Sequence, residues 1–230
     1  MKYRAVVFDL FGTLIDFLPD SDYEENSHRM ADALGVPGAD FRRAWIETGH
    51  ERTRGLFGGM EDDIRAVCAR FGASPSPEQV SQAAAIRLEL ALRNHQPRTD
   101  VIPTLKLLKS HGLKVALLSD TASDTPAVWP HTPFAGVMDA VVLSCEIGTR
   151  KPDPRMYAAV CERLEVAPRE CLYVGDGGSH ELAGALSYGM DPVLIRAGYD
   201  SQYDNRRPDA HGWPGLVIAR IAEVPGLCGI

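Results

Sequence analysis

Residues 5–14 read AVVFDLFGTL. The first four, Ala5-Val6-Val7-Phe8, form an apolar run too short for a helix and rich in branched and aromatic side chains. That is the pattern of a strand buried on both faces. The run ends at a carboxylate, Asp9, and Gly12-Thr13 follow at once, so the chain turns sharply there. In an open α/β sheet, ligands bind just beyond the carboxyl ends of the strands. Asp9 stands at such a place, although an acidic residue that merely ends a strand would look the same.

The same punctuation returns from residue 100 onward. Asp100–His111 reads as a helix with Val101, Leu105 and Leu108 inward and Gly112 as its stop. Lys114–Leu118 is a buried strand ending in Ser119-Asp120. Ala140–Leu143 is another, followed by a loop that reaches Lys151-Pro152-Asp153-Pro154. Arg155–Leu164 is helical, Cys171–Val174 is a strand ending in Gly175-Asp176-Gly177-Gly178, Ser179–Tyr188 is a short helix, and Pro192–Ile195 is one more strand. Alternating strands and helices argue for a parallel sheet covered on both faces. Right-handed crossovers then bring the strand carboxyl ends to one edge, so Asp9, Ser119, Lys151 and Asp176 should gather there. The tail after Ala197 is polar and rich in Pro and Gly, then weakly apolar from Leu216, and its pattern supports no assignment.

Residues 17–95 differ: four helical patterns follow one another without a convincing strand. They cover about Asp22–Leu34, Ala39–Arg54, Met60–Phe71 and Pro77–Arg93, the last opened by Ser76-Pro77-Glu78-Gln79 as a capping box with proline at the first helical position. The second has Phe41, Ala44, Trp45 and Thr48 on one face and Arg43, Glu47, His50 and Arg54 on the other.

Composition narrows the function classes. The 230 residues carry a net charge of −7, which argues against nucleic acid as a partner. Five cysteines without a C-x-x-C pair read as reduced thiols of a cytoplasmic protein. Asp9 interrupts the only apolar run near the start, so no signal peptide is expected, and no run approaches membrane-spanning length.

Four segments, VVFDLFGTL, ALLSD, GTRKPDPRMY and YVGDGGSHELAGALSYGM, resemble in order and spacing the four motifs of the haloacid dehalogenase (HAD) superfamily. The resemblance spans the α/β part of the chain. It implies an α/β fold class: a Rossmann-like three-layer α/β/α core with a parallel sheet (residues 1–16 and 96–230) and an inserted all-helical cap domain (17–95). It also implies roles. Asp9 resembles the nucleophile, since a carboxylate can attack phosphorus or carbon and form a covalent intermediate. Thr13 and Ser119 resemble the groups that hydrogen-bond the transferring group. Lys151 resembles the lysine that neutralises the nucleophile and the developing charge. Asp9, Asp176 and the backbone carbonyl of Phe11 resemble a Mg²⁺ site, which takes few carboxylates and keeps several waters. Glu181 resembles the acidic residue that orients a metal-bound water or Lys151.

One position departs from the pattern. The common phosphatase motif has a second Asp two residues after the nucleophile, which protonates the leaving oxygen and then activates water. Phe11 stands there and can do neither. The chain then reads as a Mg²⁺-dependent phosphatase of a small phosphorylated substrate without that acid, as a metal-independent 2-haloacid dehalogenase whose halide needs no proton, or as a phosphometabolite-binding protein with little turnover. Retention of Asp176 favours the phosphatase, because the dehalogenases replace that aspartate with a neutral residue. Phosphonoacetaldehyde hydrolase also lacks the second aspartate but uses a cap lysine, and residues 16–95 contain no lysine. The cap is expected to set specificity, with Arg43, Glu47, His50 and Arg54 as the candidate stripe and His50 as the first alternative proton donor. A solvated helix face would show the same charges. A monomer or a homodimer is expected, without nucleic acid or membrane.

Overall fold

A computed structural model describes residues 2–197 and 207–230. In chain order the elements are β1 (Ala5–Phe8), α1 (Asp20–Leu34), α2 (Gly38–Glu47), α3 (Gly49–Arg52), α4 (Met60–Ala69), α5 (Pro77–Asn94), α6 (Val101–Ser110), β2 (Lys114–Ser119) and α7 (Asp124–Val128). Then follow β3 (Ala140–Leu143), α8 (Ser144–Ile147), α9 (Pro154–Leu164), β4 (Cys171–Gly175), α10 (Glu181–Tyr188), β5 (Asp191–Ile195), β6 (Leu216–Ile218) and α11 (Val224–Leu227). Part of the tail that the sequence left unassigned lies outside the described residues.

All six strands are parallel, in the order β3-β2-β1-β4-β5-β6. The chain winds outward from β1 through β2 to β3, then restarts on the other side with β4. The reversal falls between β1 and β4, which is where an open α/β sheet parts to admit a ligand. Phe8 is in register with Val174, and the Asp9 N–H donates to the Val174 carbonyl at 2.9 Å, so the residues after both strands emerge side by side.

Period-two alternation sends side chains to two cores. Val6, Phe8, Val115 and Leu117 pack with Leu105 and Leu108 of α6 and Val224 of α11. Ala5, Val7, Ala116 and Leu118 pack with Met156 and Val160 of α9 and Leu182 and Ala185 of α10. Each fully buried Val, Leu, Phe or Met contributes about 1.5–3 kcal/mol. Helices α1, α2, α4 and α5 build a third core from Met30, Leu34, Phe41, Ile64, Val67 and Val80. The α5 capping box forms as expected: Ser76 Oγ accepts from the Gln79 N–H at 3.3 Å, and the Ser76 N–H donates to Gln79 Oε1 at 2.9 Å. No helix among the described residues is long and apolar enough to cross a membrane. The five cysteines are unpaired, and all but Cys145 are buried.

The structure corrects three local expectations. The helix expected over Ala39–Arg54 ends at Glu47, and α3 restarts at Gly49. Thr48 Oγ1 donates to the Ala44 carbonyl at 2.8 Å, a bond that bends a helix, and the following Gly49 has little helical preference. The loop expected after β3 contains α8, closed by Gly148 at φ 81°. The helix expected from Ser179 starts at Glu181, because Ser179 and His180 sit at φ 52° and 54°, in the left-handed region.

Candidate active site

Lys151 is held from both sides in sequence. Asp120, just after β2, accepts the Lys151 N–H at 2.9 Å, and Asp153 caps α9 by accepting the Arg155 N–H at 3.0 Å. The side chain therefore points into the strand-end edge with little freedom. Lys151 Nζ donates to Asp9 Oδ1 at 2.6 Å and to Glu181 Oε2 at 2.5 Å, with the Leu118 carbonyl at 3.3 Å and the Tyr173 hydroxyl at 3.4 Å.

The turn after β4 places two more carboxylates. Asp176 Oδ1 accepts the Gly178 N–H at 2.9 Å. Glu181 Oε1 accepts the Gly177 N–H at 3.0 Å, and its Oε2 also accepts from the Tyr173 hydroxyl at 2.7 Å. The left-handed residues Ser179 and His180 fold this turn back, so that Glu181 reaches the backbone of its own loop. One oxygen from each of Asp9, Asp176 and Glu181 lies within 4.8 Å of the others.

Asp9, Lys151, Asp176 and Glu181 are all buried, and burial penalises the charged forms of Asp9 and Lys151. It pushes the Asp9 carboxyl up to about 6, against the pull of Lys151. Burial alone would lower Lys151, but Asp9 and Glu181 outweigh it and hold the ammonium well above its ordinary value. Thr13 Oγ1 and Ser119 Oγ are buried without a hydrogen-bond partner. Such atoms are costly to leave unpaired.

Hard oxygen donors clustered this closely fit a small divalent cation such as Mg²⁺. Asp9, Asp176 and Glu181 could each offer it an oxygen, and both Asp176 oxygens already accept, from the Gly178 N–H and from Arg207 Nε. Both Glu181 oxygens are engaged by Gly177, Lys151 and Tyr173, so its direct effect is on Lys151.

Beside these groups a cleft of about 570 Å³ opens between α1, α2 and α5 and the loops after β1 and β2. Phe11, Asp120 and Thr121, from the loops after β1 and β2, are among the residues that line it. The charged stripe expected to face it does not line it. Arg43 bonds Asp40 at 2.7 Å on the surface, and Glu47 is exposed. His50 Nδ1 meets Arg150 Nη1 at 2.5 Å, and Arg54 Nε approaches the Gly148 carbonyl at 3.5 Å. Those last two touch the loop that carries Lys151 and stay outside the cleft.

Arg42, Trp45, Ile46, Arg52 and Thr53 of the same stretch line it, while Phe41 and Ala44 pack into the core of the helical segment. Arg52 lies over the Trp45 ring at 3.8 Å and donates to the Trp45 carbonyl at 2.6 Å. The signal was present: Arg52 continues the stripe of Trp45 and Thr48 one turn further. Arg87 of α5 bonds Asp124 of α7 at 2.8 Å and ties the helical segment to the sheet edge. Arg207 was also missed, and its Nε donates to Asp176 Oδ2 at 2.7 Å.

A family model described as haloacid dehalogenase-like hydrolase matches residues 3–189. The glyceraldehyde 3-phosphate phosphatase of Methanopyrus kandleri is 30% identical over 238 residues, covering 96% of this chain and 95% of the relative. The (S)-2-haloacid dehalogenase 4A of Burkholderia cepacia is 28% identical, covering 87% of each. Among solved structures, a 2-haloacid dehalogenase from Pseudomonas syringae superposes with a TM-score of 0.70 at 24% identity, over 99% of this chain and 98% of that one, which shows a common fold.

Proposed function

Because the chain belongs to the haloacid dehalogenase-like hydrolase family, we propose that it is a Mg²⁺-dependent phosphatase acting on a small phosphorylated metabolite through an aspartyl-phosphate intermediate. One observation carries the reading. Asp176 shares an acidic cluster with Asp9, beside the unpartnered hydroxyls of Thr13 and Ser119.

An Asp9 carboxylate oxygen attacks phosphorus, and the bond from phosphorus to the leaving oxygen breaks. The Thr13 and Ser119 hydroxyls donate to the non-bridging phosphoryl oxygens and so acquire the partners they lack. Lys151 neutralises Asp9 and the charge that develops on the transferring group. Asp9, Asp176 and the Phe11 carbonyl would hold Mg²⁺, which would supply further electrophilic stabilisation. Glu181 and Asp120 keep Lys151 in place. Phe11 has no proton to give, so the leaving oxygen takes one from water. A second water then attacks phosphorus, the bond from phosphorus to the Asp9 oxygen breaks, and the proton this water loses neutralises the hydroxide left by the first, releasing phosphate and regenerating the Asp9 carboxylate. Residues 17–95 act as the cap over the strand-end edge, and residues 1–16 and 96–230 carry the reacting groups.

The test is a release assay on the purified chain: phosphate from a panel of phosphomonoesters with Mg²⁺ or EDTA, against halide from 2-haloacids. Mg²⁺-dependent phosphate release is expected. Two observations favour the dehalogenase as the second reading: Phe11 at the acid position, and the ion pair that Arg207 makes with Asp176. That reading requires metal-independent halide release as the main activity.

A further inference from the structure

Resting on the phosphatase reading above, we propose that Arg98 is a positioning residue of this site. Its guanidinium clamps the two peptide groups on either side of Thr13 and so aims the Thr13 hydroxyl at the transferring phosphoryl group.

Arg98 stands where the helical segment rejoins the sheet, 85 residues beyond Thr13 in the chain. The two connecting stretches run together there. Ile15 pairs with Pro97 in an antiparallel bridge, and the Arg98 N–H donates to the Leu14 carbonyl at 3.1 Å. The side chain reaches the loop after β1. Nη1 donates to the Thr13 carbonyl at 3.0 Å, Nη2 to the Gly12 carbonyl at 3.1 Å, and Nε to Asp16 Oδ1 at 2.6 Å. The Arg98 side chain is only 11% exposed, so these bonds are little weakened by water.

Each of those carbonyls belongs to a peptide group whose other end is also held. The group joining Gly12 to Thr13 has its carbonyl on Nη2 and its N–H, that of Thr13, on the Leu10 carbonyl at 3.3 Å. The group joining Thr13 to Leu14 has its carbonyl on Nη1 and its N–H, that of Leu14, on the same Leu10 carbonyl at 2.9 Å. Peptide groups are planar, so a residue between two of them moves only through φ and ψ. With both planes held at both ends, those torsions are fixed, and the direction of the Thr13 Cα–Cβ bond is fixed with them. Branching at Cβ restricts the last torsion, χ1.

Thr13 Oγ1 is buried and has no hydrogen bond of its own to orient it, so the backbone sets its place. An arginine that merely fastened the linker to the sheet would need only its N–H bond to Leu14 and the pair with Asp16. The bonds to the Gly12 and Thr13 carbonyls go beyond that. They suit a planar fork of donors, which a lysine ammonium does not offer.

The experiment is a double-mutant cycle on the full chain with Mg²⁺, reading kcat for phosphate release from p-nitrophenyl phosphate. Arg98→Gln should lower kcat by about 100-fold, the cost of misplacing a reacting group by about 1 Å. In a Thr13→Val background no hydroxyl remains to be aimed, and the same change should cost about threefold or less. Arg98→Lys keeps the charge beside Asp16 without the fork and should restore only a small part of the loss. Circular dichroism checks folding, and if Arg98→Gln does not fold, Arg98→Lys takes its place in the cycle. Equal fold-losses in the two backgrounds, or full kcat in Arg98→Lys, overturn this inference and leave the phosphatase reading standing. A wild type that releases no phosphate overturns the phosphatase reading and this inference with it.

Discussion

Arg207 Nε donates to Asp176 Oδ2 at 2.7 Å, and both side chains are buried. The contact depends on Gly12, at φ 76°: a Cβ there would lie 2.3 Å from Asp176 Oδ2 and 2.8 Å from the Arg207 guanidinium. Asp209 docks the same segment, accepting the Leu182 and Ala183 N–H groups at 2.9 and 3.1 Å. The guanidinium therefore competes with any cation for one oxygen of Asp176. Arg207→Gln removes the competitor and leaves a buried carboxylate unpaired, which typically costs about 3–5 kcal/mol. The variant should melt lower than wild type without metal and recover more on adding Mg²⁺. Thermal denaturation across a Mg²⁺ titration reads both effects. Equal Mg²⁺-induced shifts in the two proteins would show that Arg207 and the metal do not compete.

Lys151 bridges Asp9 and Glu181, so the two carboxylates should respond differently to neutralisation. Asp9→Asn removes the attacking charge while Glu181 still holds Lys151, so the fold should persist and turnover fall by several powers of ten. Glu181→Gln leaves the nucleophile intact but frees Lys151 from one anchor. A loss of about 10–100-fold is expected, the usual size for a group that positions another. Matching losses in both variants, measured at saturating substrate, would mean Glu181 takes part in the chemistry directly.

What the sequence disclosed follows from how local each signal was. Asp9, Ser119 and Asp176 each follow a short apolar run, Lys151 precedes a proline-fixed turn, and right-handed winding brings such positions to one edge. Arg207 carried no such mark, because its partner lies 31 residues away and nothing periodic links them. β6 was equally silent: Leu216 and Val217 are 57% and 52% exposed, so an edge strand of three residues shows no alternation. On α2, charge drew attention to Arg43 and Glu47, whereas Phe41 and Ala44 went to the core of the helical segment and Arg42, Trp45 and Ile46 to the cleft. A charged helix face and a ligand-binding face look alike until packing decides which one turns inward.

Asp63 makes stability depend on pH. It leaves α4 to accept the Ser123 hydroxyl across the junction of helical segment and sheet edge, and its Oδ1 has no hydrogen-bond partner. Burial pushes its carboxyl from 3.8 up to about 6, against Ser123 and Arg52. Between those values the folded chain binds more protons than the unfolded one, so this contribution is full below about 3.8 and is lost as pH rises through about 6. Asp63→Asn keeps the shape without the titration. Its melting temperature relative to wild type should climb from pH 4 to pH 7 by on the order of a few degrees. A constant offset across that range would remove Asp63 from the pH response.

Phe11 leads to the sharpest kinetic prediction, because the structure also disarms the nearby histidines. His95 stands edge-on to Phe11 at 5.8 Å between ring centroids. Its Nδ1 lies 2.6 Å from the Ala91 carbonyl, which can only accept, so Nδ1 carries the proton. Its Nε2 then accepts from Thr125 Oγ1 at 3.2 Å, and burial keeps the ring neutral. His50, the first alternative donor by sequence, faces Arg150 outside the cleft. With no acid at the leaving oxygen, turnover should fall steeply as the leaving group becomes more basic, and aryl phosphates should far outrun alkyl phosphates. General acid catalysis is worth about two to four powers of ten. Phe11→Asp should recover part of that for alkyl phosphates and flatten the series. Like-charge repulsion from Asp9 would raise the new carboxyl and keep it protonated, as an acid needs to be, while bound Mg²⁺ would offset the repulsion by neutralising Asp9. The measurement is kcat against leaving-group pKa for wild type and Phe11→Asp at saturating Mg²⁺. A wild-type series already flat would reveal a proton donor, and since both nitrogens of His95 are engaged, the search would move to water held by Asp120 on the cleft wall.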